Sequence, residues 1–409
     1  MRFETLRSLC DLRPSHKWAP PSNSAEGGIG FKPHRLLPTT VILLLAIFSC
    51  KVNTLKTKEL APIPDAAYAK GVSAPFCGVV GDALVVAGGA NFPDKSLLEG
   101  GAKRVYADIW AHTDGEWAHV GVLPDSTAYG ATFAVDGVLV LAGGNVCGVT
   151  TDKVYELTLQ DGAAVLRALP PLPEPMEQCG WTRDGDRLYL VGGVGTTAVY
   201  ACTIGEYVWT RLADLPKPLV QPVAFALGGS LYVWGGFNPE TLEVSDKGIC
   251  FQISPLASLG RNDKNDNSSE VSSVISSEVE KSPWHEAPSI PDGGTFVGAT
   301  GATLPDGRLA VVGGVNRAIF ARALHNTPED RIPYLSKEPA EYQFRQAVYA
   351  FDPASGAWTL LGADPACALA GPGVAVRPAA SAPGHGSLYV AGGELKPGVR
   401  SPRIFSLAW

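Results

Sequence analysis

Three charged residues near the end of the chain, Glu394, Lys396 and Arg400, have types and a spacing that could carry out chemistry. They follow an apolar run at residues 388–391 and a glycine pair. A carboxylate held partly out of water suits proton transfer, and a guanidinium offers a planar fork for a carboxylate. The pattern therefore predicts Glu394 as an acid–base group and Arg400 as an anion-binding group. An ion pair that only stiffens the loop is the other interpretation.

The sequence offers little support for other kinds of catalytic site. The seven histidines are scattered and form no apparent triad, and the eight cysteines form no CxxC or Cys/His cluster. Copper chemistry would need converging His and Tyr ligands, and we see no such set. We therefore predict no metal site. Several of the cysteines fall in strand-like runs, where we expect them to be small core residues.

The elements that would position these residues recur along the chain. A glycine pair closes an apolar run six times, and a second apolar run, a Trp and a Leu-Pro turn follow most of the pairs. A period of about 45–55 residues with Gly-Gly, Tyr and Trp is typical of Kelch repeats. The sequence predicts an all-β fold, a six-bladed Kelch-type β-propeller over residues 50–409. The pairs are Gly88-Gly89, Gly143-Gly144, Gly192-Gly193, Gly235-Gly236, Gly313-Gly314 and Gly392-Gly393.

The sixth repeat is one strand short at its C-terminal end. Residues 53–62 resemble the outer strand that precedes each Leu-Pro turn. We expect this N-terminal strand to close the last blade by pairing with residues 403–407, which would remove exposed sheet edges.

Two insertions lengthen the fourth and fifth repeats. Residues 254–282 are rich in Ser, Asn and Asp, lack aromatic residues and are predicted to be a disordered loop. Residues 316–346 contain several aromatic residues and are predicted to be ordered, with some helix. Strand direction places this second insertion on the same face as Glu394, where we expect it to cap a site.

Asparagine follows four of the six glycine pairs within three residues, at Asn91, Asn145, Asn238 and Asn316. In a propeller these positions, with Arg317 and Glu394, would surround the mouth of the central channel. Asn also supports tight turns because it tolerates positive φ, so a structural role stays open for each.

The first 49 residues differ in character from the rest. A basic segment precedes a mostly apolar run at residues 36–49, and Cys50 follows. This resembles a lipoprotein-type signal peptide, which predicts a periplasmic or outer-membrane-anchored protein with membrane contact only through a lipid on Cys50. The chain has 33 Lys and Arg against 40 Asp and Glu, a net charge of -7, which argues against nucleic acid as a partner.

The segment GGELKPGVR at residues 392–400 resembles the Gly-Glu-x-Lys-Pro-Gly-x-Arg motif of the N-acetylneuraminate epimerase family, the sialic acid mutarotases. The segments at residues 70–92, 313–320 and 350–358 are also similar to that family. The order of the units differs, which resembles a cyclically permuted branch. A ring tolerates permutation because each blade contacts only its neighbours.

The resemblance implies interconversion of the α and β anomers of N-acetylneuraminate by general acid/base catalysis, without a cofactor. Glu394 would be the proton acceptor, Arg400 would bind the carboxylate of a small sugar acid, and Asn91, Asn316 and Arg317 would contact the polyol. A related sugar acid, or another aldose or ketose, is an open alternative for the substrate. A non-catalytic Kelch propeller that binds glycans or a protein partner is the alternative function. The oligomeric state is left open.

Overall fold

The computed structural model describes residues 55–253, 283–379, 382 and 384–408 of the 409-residue chain. The described residues form six four-stranded antiparallel sheets. β1 is Lys56–Glu59, and sheet 1 contains β2 Phe76–Val80, β3 Ala83–Ala87, β4 Asp108–Thr113 and β5 Glu116–Val122. Sheet 2 contains β6 Ala131–Val135, β7 Val138–Ala142, β8 Val154–Gln160 and β9 Ala163–Leu169. Sheet 3 contains β10 Gly180–Asp184, β11 Arg187–Val191, β12 Val199–Thr203 and β13 Thr210–Arg211.

The remaining three sheets follow in chain order. Sheet 4 contains β14 Val220–Leu227, β15 Ser230–Phe237, β16 Gly248–Gln252 and β17 Trp284–Ala287. Sheet 5 contains β18 Ala299–Thr303, β19 Leu309–Gly313, β20 Ala347–Asp352 and β21 Ala357–Ala363. Sheet 6 contains β22 Gly373–Pro378, β23 Gly386–Ala391 and β24 Ile404–Ala408, together with β1.

In each sheet the second strand is more buried than the fourth strand. Every residue of β3 and of β19 is buried, whereas β5 is mostly exposed or half-buried. Continuous apolar runs are expected in strands that are covered on both faces, as in sheets that pack against one another. The prediction of an all-β fold is confirmed, and the set of four-stranded antiparallel sheets is consistent with a propeller.

The predicted pairing of the N-terminal strand is present in sheet 6. β1 pairs antiparallel with β24, from Lys56 opposite Ala408 to Glu59 opposite Phe405. Just before this strand, Leu55 is buried in the apolar cluster that contains Phe405. The pairing covers Phe405–Ala408, so it begins two residues later than the sequence predicted.

The first strands of the six sheets contact one another in cyclic order: β2, β6, β10, β14, β18, β22 and again β2. One residue at or just before the start of each strand has a left-handed backbone. We call these six residues the αL ring; they are Ala74, Tyr129, Gln178, Gln221, Gly298 and Gly371, with φ of 52°, 65°, 53°, 56°, 72° and 60°.

Five backbone hydrogen bonds connect consecutive members of the αL ring. Each N–H donates to the carbonyl of the ring residue in a neighbouring sheet, over distances from 2.7 to 3.0 Å. The bonds run from Gln221 to Gln178, Gln178 to Tyr129, Tyr129 to Ala74, Ala74 to Gly371 and Gly371 to Gly298. The ring therefore ties the inner edges of the sheets together at one level.

The insertion after β19 contains the helices α1 Arg317–Ala323 and α2 Arg331–Leu335 and a 3-10 turn at Pro339–Tyr342. In α1, Phe320 packs edge-on against Phe237 of sheet 4, with ring centroids 5.5 Å apart. In α2, Leu335 packs in a cluster with Phe92 and Leu97, which follow β3 of sheet 1. The insertion therefore reaches from sheet 4 to sheet 1.

Four of the cysteines are core residues, as the sequence predicted: Cys77, Cys179, Cys202 and Cys367 are buried and free. The predicted leader, Cys50 and the Ser-rich insertion at residues 254–282 lie outside the described residues. Among the helices that the structure describes, none has the length and apolar character needed to cross a membrane.

Candidate active site

Glu394 and Arg400 lie opposite each other on a short hairpin formed by Glu394–Lys396 and Val399–Arg400. The turn between these strands requires glycine at Gly398, where φ is 82° and an added Cβ would lie 2.5 Å from the Cβ of Leu97. The Gly398 N–H donates to Oε1 of Glu394 at 2.9 Å. Turn and register together bring the predicted acid and the predicted guanidinium face to face.

Arg400 is held on several sides. Its Nη1 forms an ion pair with Oε1 of Glu394, and its Nε donates to the carbonyl of Ala90 at 3.2 Å. The guanidinium also lies over the ring of Phe92, 5.3 Å from its centroid. Only 3% of the Arg400 side chain is exposed, against 23% for Glu394. The pair is thus one buried cation beside one carboxylate that solvent can reach.

The two oxygens of the Glu394 carboxylate differ in their hydrogen bonding. Oε1 accepts from both Arg400 and Gly398, whereas Oε2 has no hydrogen-bond partner within the part of the chain that the structure describes. A fixed, partly exposed carboxylate with an available oxygen can accept a proton from a bound hydroxyl. The structure therefore contains the ion pair of one interpretation and the available carboxylate oxygen that the other interpretation requires.

The hairpin is attached directly to the αL ring. Glu394 and Ala370 exchange backbone hydrogen bonds of 2.7 and 2.9 Å, and Ala370 precedes the ring residue Gly371. The preceding Gly393 donates its N–H to the carbonyl of Val72, two residues before the ring residue Ala74. Glu394 consequently lies beside the ring where sheets 6 and 1 meet.

Lys396 connects the hairpin to the insertion. Its Nζ donates to the carbonyl of Lys337 at 2.6 Å, just after α2. The insertion and Glu394 therefore lie on the same face of the molecule, and Lys396 acts as a support between them.

Asn91 is buried and hydrogen-bonded within the protein, a geometry that does not favour the predicted contact with the sugar. It is 1% exposed. Its amide donates to the carbonyls of Ala67 at 2.9 Å and Gly71 at 2.8 Å, and its Oδ1 accepts from the Tyr106 hydroxyl at 2.7 Å. Both amide hydrogens are used within the protein, so Asn91 supports the segment whose Ala90 carbonyl binds Arg400.

Asn316 and Arg317 anchor the insertion. Oδ1 of Asn316 caps α1 by accepting from the N–H of Ile319 at 3.0 Å. Arg317 reaches the neighbouring sheet-4 loop, with its Nη1 2.8 Å from Oδ2 of Asp246 and its Nε donating to the carbonyl of Val244 at 3.1 Å. These contacts place both residues at the insertion, and the structure does not bring them into contact with Glu394.

The other two asparagines that follow glycine pairs support turns. Oδ1 of Asn145 accepts from the N–H of Gly148 at 2.7 Å, and Oδ1 of Asn238 accepts from the N–H of Glu240 at 2.8 Å. The structural interpretation of asparagine at this position therefore applies to both.

Sequence reasoning missed polar residues of the αL ring. Tyr129, Gln178 and Gln221 are half-exposed although the residues on either side of them are buried. Next to this ring, Glu177 is only 2% exposed and accepts from the Thr150 hydroxyl at 2.8 Å. The signal that could have found them is their shared position, at or just before the start of the first strand of each repeat.

In the described ranges, no group of three or more His, Cys, Asp and Glu side chains is placed to hold a metal ion.

Comparison with known proteins settles the family. The family model described as N-acetylneuraminate epimerase matches residues 42–166 and 169–408. The chain belongs to the N-acetylneuraminate epimerase family. The family resemblance read from the GGELKPGVR segment is thereby confirmed.

Individual members of the N-acetylneuraminate epimerase family match over part of their length. The N-acetylneuraminate epimerase of Pasteurella multocida is 28% identical over 257 residues, covering 59% of this chain and 58% of the relative. N-acetylneuraminate epimerase 1 of Escherichia coli O6:H1 is 26% identical over 258 residues, covering 60% of this chain and 61% of the relative. The chain thus spans about three fifths of the length of these curated relatives. A solved structure, that of YjhT, superposes with a TM-score of 0.45 at 23% identity, covering 59% of this chain and 65% of that one.

Proposed function

We propose that this chain is a cofactor-independent isomerase that interconverts the α and β anomers of N-acetylneuraminate. The observation that carries the proposal is the Glu394–Arg400 pair, in which a buried guanidinium fixes one carboxylate oxygen and leaves the other available beside the αL ring. Family membership and the names of the relatives support the choice of substrate.

The mechanism needs one base and one proton donor. Oε2 of Glu394 accepts the proton of the anomeric hydroxyl, while a proton is delivered to the ring oxygen as the bond from C2 to that oxygen breaks. The open keto acid turns about its C1–C2 and C2–C3 bonds and closes on the other face of the carbonyl, and the protons return. No electrons are gained or lost, so positioning and acid–base catalysis suffice.

In this proposal, Arg400 acts mainly through its charge. Little of the Arg400 side chain is exposed to solvent, whereas Glu394 beside it is partly exposed. A sugar carboxylate therefore approaches Arg400 from the side on which Glu394 is exposed. In water-excluded surroundings a guanidinium attracts an anion more strongly than it does in bulk water. The carboxylate of the substrate is then placed next to Glu394, with its anomeric carbon at the base.

The proposed architecture is a closed six-bladed Kelch-type propeller, in which the six sheets are the blades and β1 completes the last one. The cyclic contacts of the first strands and the hydrogen bonds of the αL ring support this arrangement. We also propose that the insertion at residues 316–346 caps the mouth and that the order of the repeats follows a cyclic permutation. The same proposal includes export, to the periplasm or to the outer membrane through a lipid on Cys50.

The decisive experiment measures anomer exchange of N-acetylneuraminate by NMR with purified protein. Glu394→Gln should slow catalysed exchange by about 100-fold or more, because it removes the base but keeps a similar shape. Glu59→Gln is the matched control, since Glu59 forms an exposed ion pair with Arg403 in the same sheet. Undiminished exchange in the Glu394 variant would remove Glu394 from the mechanism.

A non-catalytic binding protein is the second candidate, and the ion pair itself favours it. Glu394 and Arg400 satisfy each other, as they would in a pair that only stiffens a loop. This alternative predicts that the wild-type protein binds the sugar acid yet does not accelerate exchange, an outcome that the same NMR experiment recognises.

A further inference from the structure

Gln178 and Gln221 form a fixed amide pair in the αL ring. They are consecutive ring members, the Gln221 N–H donates to the Gln178 carbonyl at 2.8 Å, and both have left-handed backbones. Their side chains are also joined, because Nε2 of Gln221 donates to Oε1 of Gln178 at 2.7 Å. Backbone and side-chain bonds together hold the two amides in one arrangement.

The pair has hydrogen-bonding capacity left over. Among the described residues, no group is hydrogen-bonded to Nε2 of Gln178 or to Oε1 of Gln221. Both side chains are half-exposed, whereas Glu177, Cys179 and Val220 beside them are buried. Backbone hydrogen bonds close the contacts between neighbouring ring residues. Solvent therefore reaches the two amides from inside the ring or from the channel mouth above it. The pair therefore keeps a fixed donor available, which suits a carbonyl oxygen such as that of an amide.

The pair lies across the ring from Glu394. Glu394 is bonded beside the junction of sheets 6 and 1, whereas Gln178 and Gln221 belong to sheets 3 and 4. In a cyclic order of six, these two junctions are opposite each other. A ligand that bridges the two places would put an anionic group near the Arg400 guanidinium, beside Glu394, and an amide on its far side at the glutamine pair.

N-acetylneuraminate has this layout. Its pyranose ring carries the carboxylate and the anomeric hydroxyl on C2, and the acetamido group on C5 is at the opposite corner of the ring. We propose that Gln178 and Gln221 bind the C5 acetamido group, with Nε2 of Gln178 donating to its carbonyl oxygen and Gln221 holding the Gln178 side chain in place. This inference rests on the proposed function and deepens it, because it assigns a residue pair to substrate choice.

The expected consequence is selectivity for acetamido sugars. An analogue with a hydroxyl at C5 leaves one amide group of the pair without its partner, and an unpaired polar group in a desolvated site weakens binding. The wild-type protein should therefore exchange N-acetylneuraminate more efficiently than the C5-hydroxyl analogue, by about tenfold or more in kcat/KM.

The test compares both sugars with the full chain and with Gln178→Gly and Gln221→Gly. Glycine suits a left-handed backbone, so these variants keep the ring geometry while removing the amides. Asp161→Gly is the matched control: Asp161 also has a positive φ, but it lies in an exposed turn between the outer strands of sheet 2. The two ring variants should lose most of the preference, because exchange of N-acetylneuraminate slows more than exchange of the analogue.

The outcomes separate the two proposals. Loss of preference in both ring variants, with none in the control, supports the amide subsite. If the wild type exchanges both sugars equally, or if the variants keep the preference, the subsite is refuted while the isomerase assignment stands. If the wild type exchanges neither sugar, the proposed function is refuted and the subsite with it.

Discussion

Replacing Leu55 by Ala should measure how much the N-terminal strand contributes to the fold. Leu55 is 6% exposed, precedes β1 and packs in a cluster with Phe405 and Leu407 of β24. Lys56, the next residue, is exposed. The variants Leu55→Ala and Lys56→Ala therefore change two adjacent residues, of which only the first is buried.

The magnitude follows from the buried area. Removing the buried part of a leucine side chain costs about 2–5 kcal/mol of unfolding free energy, including the cavity that remains. Leu55 lies at the edge of sheet 6, where its neighbours can move inward, so we expect about 2–3 kcal/mol. At about 2.1 cal/mol/K of unfolding entropy per residue, a domain of this size should lose roughly 3–4 °C in Tm. Lys56→Ala should stay within about 0.5 kcal/mol of wild type.

Thermal and urea unfolding, followed by tryptophan fluorescence, are suitable assays. A chain that begins at Ala61 adds a stronger perturbation, because it lacks β1 and the hydrogen bond from the Leu60 N–H to the Ile404 carbonyl. Truncation should lower Tm further than Leu55→Ala does. Equal stability of the truncated chain and of a chain that begins at Lys51 would show that β1 is dispensable, and would refute its role in closing sheet 6.

Two further predictions concern residues that the sequence alone does not classify. Asn91→Ala should lower the unfolding free energy by about 2–4 kcal/mol, because it leaves buried partners unsatisfied. Asn145→Ala loses one hydrogen bond in a half-exposed turn and should cost about 1 kcal/mol. Equal losses in urea unfolding would contradict the structural role of Asn91. Iodoacetamide at pH 8, followed by peptide mapping, should label the exposed Cys147 of the native protein and spare four buried thiols. Burial raises the pKa of each of these four thiols to about 12. Labelling at equal rates would show that the four thiols are accessible. The four are Cys77, Cys179, Cys202 and Cys367.

The sequence predicted the parts of the fold that depend on local pattern. Apolar runs that end in a glycine pair became the second strand of each sheet, and residues 53–62 supplied β1. The Glu394–Arg400 contact was predictable as well, because five intervening residues with a Pro-Gly turn bring the two ends of a hairpin together. In each case the decisive information lay within a few residues.

The roles of Asn91 and of the αL ring could not be predicted in this way. Asn91 and Asn145 follow their glycine pairs at similar distances, yet only Asn91 is buried and bonded to residues 15–24 positions away. Tyr129 and Gln178 are not residue types that signal a left-handed backbone, and hydrogen bonds to other sheets hold them in that conformation. Partners that are distant in sequence decided both outcomes.

The αL ring also has an evolutionary consequence. Two of its six members are glycine, which adopts this backbone readily, while Tyr129, Gln178 and Gln221 do so against a conformational penalty of about 1 kcal/mol each. Mutation towards glycine at these positions would relieve that strain, so selection for robustness alone would favour it. Bulky polar side chains on this strained backbone are therefore a cost in stability that the fold carries at the edge of its proposed site.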